Sequence, residues 1–252
     1  MTPYSLEERQ LLNEKYGGVV SEDFERDRER LSSGEPLAYV IGMVPFLGAR
    51  IHLASRPLIP RVESEYWLSR ALDETRVLRA NESLAVLDMC AGSGALGVAW
   101  GLHRPRDTVT FCDIRPDHIE TVKKNCEENG LAPSRVSFCV SDLWEHVSGA
   151  FDVILANPPY IPVGRVLDES VTRFEPADAL FSEEDGLFHA RRIIEGAFAH
   201  LAPRGTLYLE HDTGQERVLE AYFDGRFSTR RVNDQYGRSR VIVAYYMYDR
   251  PR

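Results

Sequence analysis

The chain has 252 residues, of which 43% are hydrophobic and 27% charged, as in a globular protein with one sizeable core. Its formal net charge is −9, because 39 Asp and Glu outnumber 30 Lys and Arg, and this balance argues against a large phosphate-gripping surface. We therefore expect no nucleic-acid partner. The chain shows no charged-then-apolar leader and no run of about 18 apolar residues, so the sequence predicts a cytoplasmic protein without a membrane span.

The first 60 residues divide into a helical segment and a predicted β-hairpin. Residues 1–33 are charge-dense and helix-like. Within 34–60 the pattern changes to short apolar pieces at 39–41 and 50–53, separated by proline and glycine, which is typical of a hairpin. We expect a short helical N-terminal segment, a β-hairpin linker over 34–60, and a main domain over 61–252.

From residue 63 onward, helix and strand patterns alternate. The predicted elements are a helix at 63–78, a strand at 84–89, a helix at 95–102, a strand at 109–113, a helix at 116–129, strands at 136–140 and 151–156, a helix with its apolar stripe from 187 to 201, a strand at 206–210, and strands at 227–232 and 240–248. Such alternation predicts an α/β fold. Its sheet is expected to have seven mostly parallel strands covered on both faces, with an antiparallel C-terminal hairpin.

Polar side chains stand where the first three strands of this alternation end. The first strand runs through Asp88 into Cys90-Ala91-Gly92-Ser93-Gly94, the second ends on Asp113, and the third on Asp142-Leu143. Glycines at a strand-to-helix turn let a ligand approach the backbone, and a carboxylate at the next strand end can accept both hydroxyls of a ribose. The loop departs from G-x-G-x-x-G and no phosphate clamp accompanies it. The set therefore indicates S-adenosylmethionine rather than a dinucleotide.

The fourth strand of the alternation ends on Asn157-Pro158-Pro159-Tyr160. Two prolines forbid further ladder pairing, and their carbonyls form, with the Asn157 side-chain oxygen, a rigid array rich in acceptors. Tyr160 adds a flat wall against which a planar group can stack. The array suits an NH2 group. Taken alone, the tetrapeptide is equally compatible with a plain proline turn after a strand.

With N-P-P-Y after the fourth strand, the chain resembles class I S-adenosylmethionine-dependent methyltransferases, in particular the HemK/PrmC family of protein-glutamine N5-methyltransferases. The segments that carry the resemblance are Gly34-Glu35-Pro36-Leu37-Ala38-Tyr39, Leu58-Ile59-Pro60-Arg61 with Glu63 and Glu65, Leu87-Asp88, Gly92-Ser93-Gly94-Ala95, Phe174-Glu175-Pro176, Asp185-Gly186-Leu187 and Leu209-Glu210-His211 with Gln215. Adenine-specific nucleic-acid methyltransferases share N-P-P-Y, but they are not expected to share the Glu-Pro-Leu-Ala-Tyr and Phe-Glu-Pro segments.

The resemblance implies a Rossmann-like methyltransferase fold, with the S-adenosylmethionine-binding catalytic domain over 61–252, and it implies a set of site residues. For the cofactor these are Arg61, Glu63, Asp88, Cys90, Ala91, Gly92, Ser93, Gly94, Asp113 at the ribose, Ile114, Asp142 and Leu143 at the adenine, and Asn157. The implied catalytic residues are Asn157, Pro158 and Tyr160, and the implied substrate-binding residues are Asn157, Pro158, Pro159 and Tyr160. The product of the cofactor is S-adenosylhomocysteine, and no metal is expected.

Three functions remain open at this point. The first is methylation of the glutamine in the Gly-Gly-Gln loop of a peptide chain release factor. The second is N-methylation of a small-molecule amide or amine, because residues 1–33 are shorter than the helical domain that precedes the linker in the family and helps dock a release factor. The third is a non-catalytic module that binds the cofactor and a partner. Glu210 is expected either beside the cofactor or as a cap at its strand end.

Overall fold

The computed structural model describes residues 4–247, which form a seven-stranded sheet, two small sheets and flanking helices. The strands are β1 (Met43–Phe46), β2 (Ala49–His52), β3 (Ala85–Met89), β4 (Thr108–Asp113), β5 (Val136–Val140), β6 (Phe151–Ala156), β7 (Ile161–Pro162), β8 (Phe181–Ser182), β9 (Leu201–Glu210), β10 (Phe227–Asn233) and β11 (Ser239–Tyr246). The helices are α1 (Leu6–Tyr16), α2 (Glu22–Ser32), α3 (Leu37–Ile41), α4 (Val62–Leu78), α5 (Ala95–His103), α6 (Pro116–Glu128), α7 (Glu169–Phe174), α8 (Ala177–Leu180), α9 (Glu183–Gly186), α10 (Phe188–His200) and α11 (Glu216–Glu220).

The main sheet has the strand order β10-β11-β9-β6-β3-β4-β5. Strands β9, β6, β3, β4 and β5 run parallel, whereas β11 pairs antiparallel with β9 and with β10. The predicted α/β fold, with a mostly parallel seven-stranded sheet and an antiparallel C-terminal hairpin, is therefore confirmed. The chain leaves β3 in one direction toward β4 and later returns to its other side as β6. Ligands of open parallel sheets bind at such a switch point, outside the carboxyl ends of the strands.

Both faces of the central strands of this sheet are buried, and their alternate residues belong to apolar clusters on opposite faces. On β3, Val86 belongs to the apolar cluster that includes residues of α4, α5 and α6, while Leu87 belongs to the cluster that includes residues of α10 and α11. On β6, Leu155 and Ile154 divide between the same two layers. Strands buried on both sides read as continuous apolar runs, and helices with one apolar stripe cover them. This three-layer packing fixes the strand ends, where the polar side chains lie.

Two predicted strands differ from those in the structure. Residues 39–41, expected as part of the hairpin, lie in α3, and the hairpin consists of β1 and β2 instead. Tertiary contacts explain the helix, because Val40 packs between α1 and α2, and Gly42 with φ of 91° ends it. Strand β9 begins at Leu201 and not at Thr206, since its register against β6 accommodates an irregularity before Thr206. Tyr248, expected to end the last strand, lies outside the described residues.

The helices that precede the hairpin pack on one another around a small apolar cluster of Leu11, Phe24 and Val40. A capping box formed by Ser5 and Glu8 begins α1. A chain of ion pairs leads from this cluster toward the main domain, since Glu35 binds both Arg30 and Arg56. None of the helices between residues 4 and 247 is both long and apolar enough to cross a membrane.

Candidate active site

A cavity opens at the carboxyl ends of the parallel strands, at the switch point between β3 and β6. Its wall includes residues from the ends of β3, β4, β5 and β6, from the start of α4 and α5, and from the segment that contains α8 and α10. The lining residues are Phe46, Leu58, Pro60, Ser64, Met89, Cys90, Ala91, Gly92, Ser93, Ala95, Leu96, Cys112, Asp113, Ile114, Arg115, His118, Ser141, Asp142, Leu143, Asn157, Pro159, Asp178, Ala179 and His189. Four strand ends predicted from sequence to form one site thus contribute to one cavity.

The loop after β3 is shaped by backbone conformations that favour glycine. Gly92 and Gly94 have φ of 55° and 77°, and a Cβ on Gly94 would lie 2.9 Å from a methyl carbon of Val122. Cys90 adopts the same left-handed region with φ of 58°, which is uncommon for a residue with a side chain. Such a strained residue at a cavity wall is typical of a ligand-binding loop. Burial raises the pKa of the Cys90 thiol, so it stays protonated at neutral pH.

Asp113 organises the next part of the wall. Its carboxylate accepts hydrogen bonds from the Gly92 backbone N–H at 2.7 Å and from the Arg115 N–H at 2.9 Å. The Nδ1 atom of His118 lies 3.2 Å from the same carboxylate. These contacts tie the glycine loop to the end of β4. They also hold Asp113 in the cavity wall with lone pairs left over, since a carboxylate can accept about four hydrogen bonds.

Asp142, which follows the neighbouring strand β5, is oriented by Arg192 of α10. The Nη1 atom of Arg192 lies 3.0 Å from Oδ1 of Asp142, and Nη2 lies 3.3 Å from Oδ2. The Arg192 carbonyl in turn accepts a hydrogen bond from the indole of Trp144 at 3.0 Å. Leu143 completes this corner with φ of 49° and a buried side chain. An acceptor carboxylate beside an apolar surface suits an amino-heterocycle.

Asn157 lies at the end of β6, and its amide is held from one side only. Its Nδ2 atom donates to the Ser64 hydroxyl at 3.4 Å, and Ser64 donates to Oε2 of Glu210 at 2.7 Å. The indole N–H of Trp67 donates to the same Glu210 oxygen at 2.7 Å. The Oδ1 atom of Asn157 is buried and has no hydrogen-bond partner among the described residues. A buried acceptor without a partner costs free energy unless a ligand supplies a donor.

The backbone after the two prolines is fixed by a turn in α9. The Tyr160 carbonyl accepts a hydrogen bond from Nε2 of Gln215 at 2.9 Å, and a Cβ on Gly186 would lie 2.1 Å from that carbonyl oxygen. Glu184 and Asp185, just before Gly186, also have positive φ. Only glycine permits so close an approach of the turn to the Tyr160 backbone. Asp185-Gly186, one of the segments that carry the family resemblance, therefore holds in place the backbone that follows Asn157.

The Phe174-Glu175-Pro176 segment binds the entry to α4. Glu175 is buried, and its carboxylate accepts hydrogen bonds from the Ile59 N–H at 3.0 Å and from Arg61 at 2.6 Å. Tyr39 joins the same region, because its hydroxyl donates to the Pro57 carbonyl at 2.6 Å. Segments that are far apart in sequence thus meet beside the cavity. Their shared role is to fix the position of the start of α4.

The structure brings ten of the predicted site residues into the cavity wall. These are Cys90, Ala91, Gly92, Ser93, Asp113, Ile114, Asp142, Leu143, Asn157 and Pro159. The others surround it: Arg61 is paired with Glu175, Asp88 accepts from the Gly97 N–H behind the loop, and Tyr160 donates to Glu210 at 3.4 Å. Glu63, Gly94 and Pro158 also lie outside the lining.

Sequence reasoning missed several residues of the wall, above all Ser64 and His189. The sequence could have indicated Ser64, because this residue lies between Glu63 and Glu65 in a segment that carries the family resemblance. No sequence feature pointed to His189, because a lone histidine in a helix is more often a packed side chain than a ligand. No group of three or more His, Cys, Asp and Glu between residues 4 and 247 is arranged to hold a metal.

The residues present fit S-adenosylmethionine. The glycine loop admits a ligand to the backbone, and Asp113 and Asp142 offer carboxylate acceptors at two separate strand ends. Ile114 and Leu143, which follow them in the chain, add apolar side chains to the lining. Asn157, whose buried side-chain oxygen has no hydrogen-bond partner among the described residues, lines the same cavity. A nucleoside with two hydroxyls and an amino group matches this donor and acceptor pattern.

Comparison with known proteins agrees with this reading. The family described as "Methyltransferase small domain" matches residues 69–178. A methyltransferase from Pyrococcus furiosus has a similar fold, with a TM-score of 0.58 at 17% identity, over 88% of this chain and 98% of that one. The fold and the cavity define a class I S-adenosylmethionine-dependent methyltransferase, and S-adenosylmethionine is its cofactor.

Two curated relatives specify the family. A release factor glutamine methyltransferase from Lactococcus lactis is 32% identical over 85% of this chain and 78% of its own length. One from Streptococcus pneumoniae is 34% identical over 85% of this chain and 76% of its own length. The chain belongs to the family of release factor glutamine methyltransferases.

Proposed function

We propose that this enzyme transfers a methyl group to the side-chain nitrogen of the glutamine in the Gly-Gly-Gln loop of a peptide chain release factor. The names of the curated relatives support that acceptor. The observation that carries the proposal is the side chain of Asn157, a residue that lines the cavity just after β6 and whose buried Oδ1 atom has no hydrogen-bond partner among residues 4–247. A buried oxygen without a hydrogen-bond partner is stabilised when a ligand donates an N–H to it, and a primary amide supplies such a donor.

Methyl transfer to an amide requires that the nitrogen be oriented toward the methyl group more than it requires a base to remove a proton. An amide nitrogen is a poor nucleophile because its lone pair is delocalised, and S-adenosylmethionine supplies its methyl group on an activated sulfonium. In the proposal, the Asn157 side-chain oxygen and the Pro158 carbonyl accept the two N–H bonds of the substrate amide and aim its nitrogen at the methyl carbon. Tyr160 packs on the amide plane. As the nitrogen–carbon bond forms and the sulfur–carbon bond breaks, the product amide releases one proton.

The cofactor contacts belong to the same proposal. Asp113 accepts the ribose hydroxyls, Asp142 accepts the adenine amino group beside Leu143, and the loop from Cys90 to Gly94 faces the methionine part. Arg61 acts at the edge of the site, where its pairing with Glu175 holds the start of α4. We place the reaction in the cytoplasm, where a release factor is available and the four unpaired cysteines stay reduced.

The proposal is tested by incubating the purified protein with labelled S-adenosylmethionine and a purified release factor, then sequencing the Gly-Gly-Gln peptide by tandem mass spectrometry. We expect one methyl group on the glutamine and none on a release factor in which that glutamine is replaced by alanine. A metabolite extract serves as the competing acceptor. Label in a small molecule, with an unmodified release factor, would contradict the proposal and support a small-molecule N-methyltransferase.

Replacement of the amide at Asn157 tests the role of the strand end. Asn157→Ala removes an acceptor that acts on the substrate in the transition state, so we expect turnover to fall by about 100- to 1,000-fold. Affinity for S-adenosylhomocysteine, measured by calorimetry, should change much less. The exposed Asn233→Ala on β10 is the matched control and should have normal turnover. A near-normal single-turnover rate for Asn157→Ala excludes this role.

A further inference from the structure

Ser64 connects the Asn157 amide to a buried carboxylate. It lies in the first turn of α4 and is 3% exposed, while Glu210 at the end of β9 is 1% exposed. The Ser64 oxygen is 2.7 Å from Oε2 of Glu210 and 3.4 Å from Nδ2 of Asn157. Ser64 and Glu210 are 146 positions apart in the chain, and neither has a role in the reaction described above.

The direction of each hydrogen bond follows from the groups involved. Glu210 is surrounded by donors, because the hydroxyls of Ser64 and Tyr160 and the indole N–H of Trp67 all point to its two oxygens. An indole can only donate, so the carboxylate acts as acceptor. Burial raises the pKa of Glu210 overall, and the hydrogen bonds from Ser64 and Trp67 offset only part of that rise. Ser64 and Trp67 share the oxygen Oε2, so this oxygen is the acceptor of both hydrogen bonds.

A serine hydroxyl has a single proton, and here that proton is committed to Glu210. The hydroxyl can then offer only a lone pair to Asn157, and only the NH2 end of the Asn157 amide can bind it. In the opposite amide orientation, Oδ1 would face that lone pair. The NH2 end would then face the substrate amide, which would find no acceptor on the Asn157 side chain.

We propose that Ser64 and Glu210 are positioning residues that fix the orientation of the Asn157 amide, so that its oxygen faces the substrate N–H. The inference rests on the proposed function, because it presupposes that Asn157 accepts a hydrogen bond from the acceptor amide. Glu210 sets the direction of the Ser64 hydroxyl, and Ser64 sets the direction of the amide. Neither residue touches the reacting atoms in this arrangement.

The first test compares Ser64→Ala with Ser64→Thr. Ser64→Ala removes the hydroxyl and leaves the amide free to turn, so we expect kcat to fall about 10- to 100-fold. Ser64→Thr keeps the hydroxyl and should retain kcat within a few fold of the wild type. Melting temperature and affinity for S-adenosylhomocysteine are measured for both variants. Equal losses of kcat in the two variants, or normal kcat in Ser64→Ala, overturn the inference.

The second test replaces the Asn157 amide by a carboxylate, whose two ends are equivalent. Asn157→Asp presents an oxygen on either side, so the hydroxyl is no longer needed to select one. In the Asn157→Asp background, Ser64→Ala should therefore lower kcat by less than about twofold, a difference that a double-mutant cycle measures. The same loss in both backgrounds would mean that Ser64 acts through packing alone. The comparison of alanine with threonine decides the question by itself when Asn157→Asp is too slow to assay.

Failure of the inference and failure of the proposed function give different results. When the wild-type protein leaves the release factor unmodified, the proposed acceptor is wrong. The Ser64 comparison is then run with whichever acceptor receives the label. When the wild type methylates the glutamine and Ser64→Ala does so equally fast, only the role of Ser64 and Glu210 is wrong.

Discussion

Asp88 is a single residue whose protonation depends on the fold. Its carboxyl group is buried behind the glycine loop, where one oxygen accepts from the Gly97 N–H at 2.8 Å and the other has no partner. Burial raises the pKa of Asp88 from an ordinary 3.8 to about 8. The folded protein therefore keeps a proton at neutral pH that the unfolded chain has already released. Asp88 supports the loop from behind and is neutral while it does so.

This state of Asp88 makes stability depend on pH in a definite direction. Because the folded pKa is the higher one, stability is greatest below pH 3.8 as far as this group is concerned, and it falls as pH rises toward 8. The side chain in Asp88→Asn is neutral at every pH, so the variant does not lose stability at this position as the pH rises. We expect the melting temperature of the variant to gain on the wild type by on the order of 10 °C between pH 4 and pH 8. Parallel curves of melting temperature against pH would show that Asp88 is ionised in the folded protein.

In the proposed cofactor contacts, Asp142 is the residue that recognises the adenine. Arg192 holds its carboxylate in place, so the two oxygens remain directed acceptors. Asp142→Asn replaces one acceptor by a donor, and we expect affinity for S-adenosylhomocysteine to fall roughly tenfold. Affinity for S-inosylhomocysteine, which has an oxygen in place of the amino group, should fall less or rise. Calorimetry with both ligands measures the two affinities, and equal losses for both would place the adenine elsewhere.

At the scale of the elements, the α9 turn determines the position of the strand end that carries Asn157. Gly186→Ala adds a Cβ that would lie 2.1 Å from the Tyr160 carbonyl oxygen, at φ of 85°. Gly237→Ala is the matched control, because its φ is 79° and no atom lies within 4 Å of the added Cβ. Both variants lose about 1–2 kcal/mol of stability from the left-handed backbone.

Only Gly186→Ala should also displace the Tyr160 backbone. We expect its kcat to fall roughly tenfold or more while Gly237→Ala keeps normal kcat, since the displacement moves the acceptors that orient the substrate. Steady-state kinetics at a temperature below both melting transitions makes the comparison. Equal kcat in the two variants would show that the turn does not control the site.

The elements also show what the sequence can and cannot predict. Strand β3 and helix α5 were predicted almost to the residue, because a short apolar run leads directly into the glycine loop and a second apolar segment begins straight after that loop. Helix α3 was predicted as a strand, since five residues are too few for a helical period and contacts with α1 and α2 decided its conformation. Helices α7 and α8 and the two-residue strands β7 and β8 were not predicted, because such short pieces carry no pattern.

In the site too, the sequence predicts residues that follow a local pattern and misses those brought together by tertiary contacts. Asn157 and Asp113 were found because they follow apolar strands, and the ends of parallel strands meet at one edge of a sheet. The hydrogen bonds of Ser64 were not found, since they join residues 146 and 93 positions apart. Glu210 was expected either beside the cofactor or as a strand cap. It lies outside the cavity lining, one hydrogen bond behind Ser64.

At the scale of the whole molecule, contacts between distant segments hold the helices before the hairpin, the hairpin and the main domain in one arrangement. Glu175 binds the backbone and Arg61 at the entry to α4, and Glu35 links α2 to Arg56. Asn125 of α6 and Asn129, just after this helix, accept hydrogen bonds from the backbone of β2 at 2.8 Å each. The start of α4, which carries Ser64, is therefore fixed from several sides. Precise placement of Asn157 depends on this assembly and not on the strand end alone.

The central claim is that this chain methylates a release factor glutamine at the Asn157 strand end. It is tested most directly by tandem mass spectrometry of the Gly-Gly-Gln peptide from cells that lack the gene and from the same cells complemented with either wild-type protein or Asn157→Ala. The account predicts an unmodified glutamine without the gene, a methylated glutamine with the wild type, and an unmodified glutamine with Asn157→Ala. A glutamine that stays methylated in cells without the gene, or stays unmethylated when the wild type is restored, would contradict it.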